Sequence, residues 1–215
     1  MSEKTSATFF EVSIPVDWLL ALRFLAANKE QREWINGVSI INGYLLATDG
    51  ICMGAIPDGQ LQDLPSMTIP RATLDEALAL PRRLTEKSIA VRWTRTDDWG
   101  MYGSLALGQR SVAFIPDLPY APKSIVSYLR AHHEPSGHPQ LDWSRMSRFA
   151  RAAQALGASE TDPYKVHLIP NGDEAPARVK LPKFLAFEGV IMPIAARQRL
   201  TAESFFESTK EETTS

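Results

Sequence analysis

The sequence predicts an α+β fold with antiparallel sheets, and three observations carry that reading. A strand, helix and three-strand pattern runs through the chain twice and then recurs in shortened form. Each helix-like segment gathers its apolar residues on one side at helical spacing. The turn dipeptides Asn42-Gly43, Asp49-Gly50 and Asn171-Gly172 stand between neighbouring strand-like runs, and such pairs tolerate the positive φ that a tight hairpin needs.

The first unit opens with a strand at Thr8–Ser13. Pro15 then starts a helix, a position where the missing N–H costs nothing. Val16, Leu19, Leu20, Leu22 and Phe24 give this helix an apolar face that continues to about Ala27. Strands are predicted at Trp34–Ile41, Tyr44–Thr48 and Ile51–Ile56. The second unit repeats the order: a strand at Met67–Pro70, a helix at Arg71–Leu84 with Leu74, Ala77, Leu78 and Leu84 inward, and strands at Ser88–Arg95, Met101–Leu107 and Ser111–Ile115. Asp97-Asp98-Trp99-Gly100 supplies the turn between the first two of these. Pro, Gly and His then cluster in Arg130–Gln140, the composition of a linker.

The third unit has a helix at Leu141–Leu156, with Trp143, Met146, Phe149, Ala153 and Leu156 on one side. Strands follow at Tyr164–Ile169, Ala177–Leu181 and Phe184–Ile194. Beyond Arg197 the chain is polar and acidic, and its tip is expected to be disordered. This divides the chain into a body at residues 8–127, a linker at 128–140, a partial domain at 141–197 and a tail at 198–215. The copies share a pattern rather than residues, and three passes in register are harder to produce by chance than two.

Composition narrows the class without naming a function. The 215 residues are 44% hydrophobic and 22% charged, as in a soluble globular protein with a real core. No apolar run approaches the ~20 residues of a membrane-spanning helix. The start, MSEKTSATFF, lacks the basic and apolar stretches of a secretion signal. Cys52 is alone, which excludes an intramolecular disulfide and makes a cytoplasmic setting the expectation. The net charge of −2 argues against indiscriminate coating of nucleic acid but leaves room for a local basic face.

Several short motifs then point to a family. Trp34-Ile35-Asn36-Gly37-Val38, followed by Leu45-Leu46-Ala47-Thr48-Asp49-Gly50, resembles the "YLNG … ATDGHR" stretch of bacterial DNA sliding clamps, the β subunit of the replicative polymerase. Ile69-Pro70-Arg71 is similar to the family's "VPR", Ile115-Pro116-Asp117 to its "FPD", and Gly189-Val190-Ile191-Met192-Pro193-Ile194 to its closing "VVMPM". Their order and spacing match along Val12–Ser127, as in a middle clamp domain, and again from Leu141 to Ile194, as in a compressed last domain. The first clamp domain has no counterpart.

The resemblance implies a non-catalytic DNA replication factor that needs no cofactor, surrounds double-stranded DNA without reading it, and docks peptides from polymerases or clamp loaders. The implied peptide groove is walled by Ile35, Thr48, Gly50, Met53, Val190, Met192, Pro193 and Ile194. Methionine suits such a wall because it repacks around different partners, and glycine lets a ligand backbone come close. Ile51-Cys52 replaces the family's usual His-Arg, which makes the rim more apolar.

The DNA-facing residues implied are Arg145, Arg148 and Arg151, at three-residue spacing on the third helix, with Arg23, Arg82 and Arg83 on the others and Arg32 beside Trp34. Attraction of that kind is sequence-independent and weakened by salt. No phosphate-cradling glycine loop, GxSxG, HExxH or paired CxxC is found. His132, His133 and His138 lack ligand-like spacing on a regular element, so no metal is expected. Asp49 and Asp117 are explained as turn formers. Two alternatives remain at this stage: a clamp-like monomeric peptide-binding module or polymerase accessory protein that does not encircle DNA, and an unrelated enzyme. A lone half-domain would leave open strand edges, which predicts self-association through Leu141–Ile194.

Overall fold

A computed structural model describes residues 7–32, 35–79, 86–96, 101–116 and 135–194. The order is β1 (Ala7–Pro15), α1 (Val16–Arg23), β2 (Gly37–Ile41), β3 (Tyr44–Thr48) and β4 (Cys52–Pro57), then β5 (Met67–Pro70), α2 (Arg71–Ala79), β6 (Ser88–Thr96), β7 (Met101–Leu107) and β8 (Arg110–Phe114). The third unit contributes α3 (Trp143–Ala155), β9 (His167–Ile169), β10 (Ala177–Lys180) and β11 (Glu188–Ile191). The predicted α+β class and the threefold recurrence are both present.

The strands form two antiparallel sheets, ordered β1-β6-β7-β8 and β5-β2-β3-β4-β11-β10-β9. The first strand of each of the first two units has crossed into the other unit's sheet: β1 pairs with β6 along its full length, and β5 pairs with β2. Neither three-stranded meander is complete without the other unit, so the two interlock. Glycine is required at the start of β2, where a Cβ on Gly37 would collide with the Ile69 carbonyl of β5.

Among the described residues, the three helices and both sheets share one core. Leu19 and Leu22 of α1, Leu74 and Ala77 of α2, and Phe149 and Ala153 of α3 pack with Val38, Ile56, Val91, Leu105 and Ile191. Helix α1 touches both α2 and α3. The third unit is not a lone half-domain, because β11 pairs antiparallel with β4 (Val190 opposite Met53, Gly189 opposite Gly54) and continues the first unit's sheet. Open edges in this sheet are therefore confined, among the described residues, to its end strands β5 and β9.

The junction is tight because two glycines face each other across it. A Cβ on Gly54 would overlap Leu25 Cδ1 and sit 2.7 Å from Phe187 Cζ, and one on Gly189 would lie 2.9 Å from the rings of Phe149 and Phe187. Phe149 and Phe187 meet edge to face with centroids 6.3 Å apart, a favoured aromatic geometry.

Several predicted boundaries move, each for a local reason. Helix α1 ends at Arg23 rather than about Ala27 because the Ala27 N–H is drawn to the carbonyls of Ile35 (3.0 Å) and Thr48 (3.1 Å). Strand β2 begins at Gly37 because Asn36 is held in a turn: its side chain accepts from Glu30 N at 2.9 Å and donates to Glu30 O at 2.7 Å. Strand β9 is shorter than predicted, since Tyr164 N donates to Asp162 Oδ1 in a turn. Phe184 and Phe187 likewise lie in turns before β11. Trp143, expected to face the core, is 81% exposed: it is the first residue of α3, more than a full turn ahead of the buried Phe149, Ala152 and Ala153. Trp34, Leu84, the Asp97–Gly100 turn and most of the proposed linker lie outside the described residues.

Candidate functional site

The β3–β4 turn is the most heavily bonded loop near the β4–β11 junction. Thr48 Oγ1 donates to the Cys52 carbonyl (2.8 Å) and accepts from Gly50 N (3.0 Å). Asp49 Oδ1 accepts from the N–H groups of Ile51 (2.9 Å) and Cys52 (2.8 Å). Gly50 has φ +88°, a backbone conformation that residues with a side chain rarely adopt; a Cβ there would meet only the guanidinium end of the exposed Arg32, so the backbone rather than crowding calls for glycine. Met192 N donates to the Ile51 carbonyl at 2.9 Å, tying the end of β11 to this turn.

Alternation along the strands divides the sheet into two faces. Leu45, Ala47, Cys52, Ile56 and Ile191 face the helices, whereas Leu46, Met53, Ala55 and Val190 form a second apolar cluster with Tyr44 packed against it. Met53 and Val190 thus meet although they are far apart in sequence. Both are buried here, as are Thr48 and Ile35, while Met192 (40%) and Ile51 (41%) are exposed and Pro193 and Ile194 are half-buried. Ile35 adjoins the turn through its carbonyl, which shares the Ala27 N–H with Thr48. The cluster is flanked on β10 and β11 by a charged triad, with Glu188 accepting from Arg178 (2.8 Å) and Lys180.

The arginines are less free than their spacing suggests. Arg145 and Arg148 both reach Asp49 Oδ2, Arg148 at 2.7 Å, and the Asp49 side chain is only 3% exposed. Burial and then repulsion from Arg148 lower the Arg145 pKa. Arg151 lies over the Phe24 ring, 4.3 Å from its centroid, and is exposed. Arg23 pairs with Asp75, joining α1 to α2. Arg71 donates to the Ala26 carbonyl at 2.7 Å, and its pKa is lowered by burial in the first place and also by Arg23, Arg148 and Arg151. Arg82 and Arg83 lie outside the described residues.

The α3 N-terminus is capped by Asp142, which accepts from Ser144 N at 2.8 Å and Ser144 Oγ at 2.6 Å; the Ser144 bonds hold its pKa down. Burial pushes the Cys52 thiol up to about 11. Sequence reasoning treated Asp49 as a turn former and missed its arginines. No sequence signal could reveal them, because Arg148 lies 99 residues away. His138 donates its backbone N–H to Asp173 Oδ1 (2.7 Å), while His132, His133 and Asp117 lie outside the described residues. Among the described residues no group of three His, Cys, Asp or Glu side chains is placed to hold a metal ion, and no helix is long and apolar enough to cross a membrane.

The reciprocal strand exchange, and a sheet running unbroken from the first unit into the third, identify the architecture when set beside solved structures. The sliding clamp (DNA polymerase III subunit beta) of Bartonella birtlesii, bound to griselimycin, superposes with a TM-score of 0.57 at 16% identity, over 91% of this chain and 68% of that one. The chain has a sliding-clamp fold. The Pseudomonas aeruginosa clamp gives 0.56 at 15% identity, over 86% and 66%, and a Eubacterium rectale clamp gives 0.57 at 12%, over 92% and 68%. The chain therefore spans about two thirds of the length of the clamps it matches. No protein-family model and no curated protein sequence matches it.

Proposed function

We propose that this chain is a non-catalytic, clamp-like DNA replication factor that docks short hydrophobic peptides at the β4–β11 junction and lies against duplex DNA, without sequence preference, through its helix layer. The observation that carries the reading is the junction itself. Two segments that resemble clamp groove motifs, Thr48–Met53 and Val190–Ile194, are brought side by side, with Met53 opposite Val190 and Met192 bonded to the Ile51 carbonyl. A peptide would meet Ile51 and Met192 first, since these are the exposed apolar side chains of the site, and would reach Met53 and Val190 beneath them. Absence of catalysis is part of the proposal: of the acidic residues beside the groove, Asp49 has its oxygens committed to the turn and to α3, and Glu188 has its oxygens on Arg178 and Lys180.

The test is binding of a labelled peptide in which glutamine precedes hydrophobic residues. Replacing Met192 by Asp places a carboxylate against the docked apolar residues, and such burial costs several kcal/mol, so affinity should fall at least tenfold. An unchanged affinity would move the site elsewhere. Segment 198–206 (QRLTAESFF) loosely resembles such a peptide and lies outside the described residues; deleting it should raise affinity if it competes for the groove.

The second reading, a peptide-binding module that does not encircle DNA, is favoured by the commitment of Arg145 and Arg148 to Asp49. Retention on closed circular DNA but loss from linear DNA separates the two, because charge attraction alone treats both forms alike.

A further inference from the structure

We propose that Asp49 is an internal competitor for DNA phosphate, withholding Arg145 and Arg148 so that α3 presents Arg151 as its main phosphate contact. This rests on the proposed placement of the helix layer against duplex DNA. Within α3 the three arginines are at equal spacing but in unequal electrostatic states. Arg145 and Arg148 share one buried carboxylate oxygen, whereas Arg151 has an aromatic ring beneath it and, among the described residues, no carboxylate partner.

The carboxylate that holds them cannot easily release them. Asp49 accepts four donors, two backbone N–H groups on Oδ1 and two guanidiniums on Oδ2, which uses the acceptor capacity of an ionised carboxylate. A phosphate that drew both arginines away would leave that charge buried and uncompensated, a costly state. The same side chain shapes the turn that carries Gly50 and Ile51. Asp49 therefore lowers the positive charge offered to DNA while it holds the rim of the groove.

Asp49→Asn should separate the two activities. Released guanidiniums gain phosphate contacts, while the amide Oδ1 still accepts from the Ile51 and Cys52 N–H groups and keeps the turn that bears the rim. Binding to a short fluorescent duplex of arbitrary sequence, followed by anisotropy across a salt series, reads the first effect. Each added phosphate contact steepens the log–log salt dependence by about 0.9, so two contacts should make the variant's affinity fall about tenfold further than wild type between about 50 and 200 mM salt. Peptide affinity should stay near wild type in the same variant, because the Oδ1 bonds of the turn are kept. A merely structural role would lower both affinities.

Arg148→Gln, which leaves Arg145 on Asp49, supplies a test that does not depend on the Asn variant folding. It should leave the salt slope near wild type, whereas Arg151→Gln should flatten it by about 0.9. Equal losses for the two glutamine variants, or an unchanged slope in a folded Asp49→Asn protein, overturn the inference. If wild type binds no duplex even at low salt, the DNA part of the proposed function falls, and this inference falls with it.

Discussion

Gly54→Ala places a methyl group at the centre of the β4–β11 junction, where the structure leaves no room for one. The new Cβ would overlap Leu25 Cδ1 and lie 2.7 and 2.9 Å from two atoms of the Phe187 ring. Carbon atoms pack best at roughly 3.5–4.0 Å, so the ring would have to retreat by about 1 Å. It has nowhere to go, since Phe187 is fully buried and also packs edge to face against the buried Phe149 ring. Overpacking of a closed core costs about 1–3 kcal/mol, and with both neighbours fully enclosed the upper half of that range is expected. Urea unfolding followed by circular dichroism should show a loss of about 2–3 kcal/mol from a total of roughly 5–15. Gly59→Ala is the control, because nothing lies within 4 Å of a Cβ there. Adding Phe187→Leu to Gly54→Ala should recover part of the loss, a coupling expected only between touching residues. If Gly54→Ala is as stable as wild type, the junction is not packed as described and its role in joining the third unit is wrong.

Further expectations concern the turn and α3. Burial raises the Cys52 pKa from 9.0 to about 11, so the native state keeps its thiol proton where the unfolded chain has lost it; the resulting contribution is full below about 9 and is lost as the pH rises towards 11. A decline of about 2–3 kcal/mol over that window, present in wild type but absent in Cys52→Ala, should appear in urea midpoints. Native Cys52 should also resist a thiol reagent at neutral pH, while denatured protein reacts at once. Asp142→Ala removes the α3 cap and should cost about 1 kcal/mol in the same unfolding assay, whereas Asp142→Asn should retain most of it.

The sequence by itself determined the secondary-structure order and the fold class, because both depend on local properties. Turn dipeptides such as Asn42-Gly43, with φ of 47° and 83°, and the short, mostly apolar run Tyr44–Thr48 between turn signals are legible one segment at a time. The motifs around Thr48-Asp49-Gly50 and Gly189–Ile194 also marked two segments that the fold brings side by side, since their resemblance survives in short runs. What only the tertiary structure decided were relations between distant segments. Nothing in residues 7–15 shows that β1 belongs to the second unit's sheet, because edge pairing is chosen by which partner strand is available. Nothing in residues 188–191 shows that the third unit continues the first unit's sheet, which depends on Gly54 and Gly189 meeting under Phe187. Spacing placed Arg145, Arg148 and Arg151 on a helix but could not rank them. Their difference arises because Asp49, held rigid by its own turn, projects a buried carboxylate towards two of the three, and the strength of a charge depends on its partners in space rather than its neighbours in sequence.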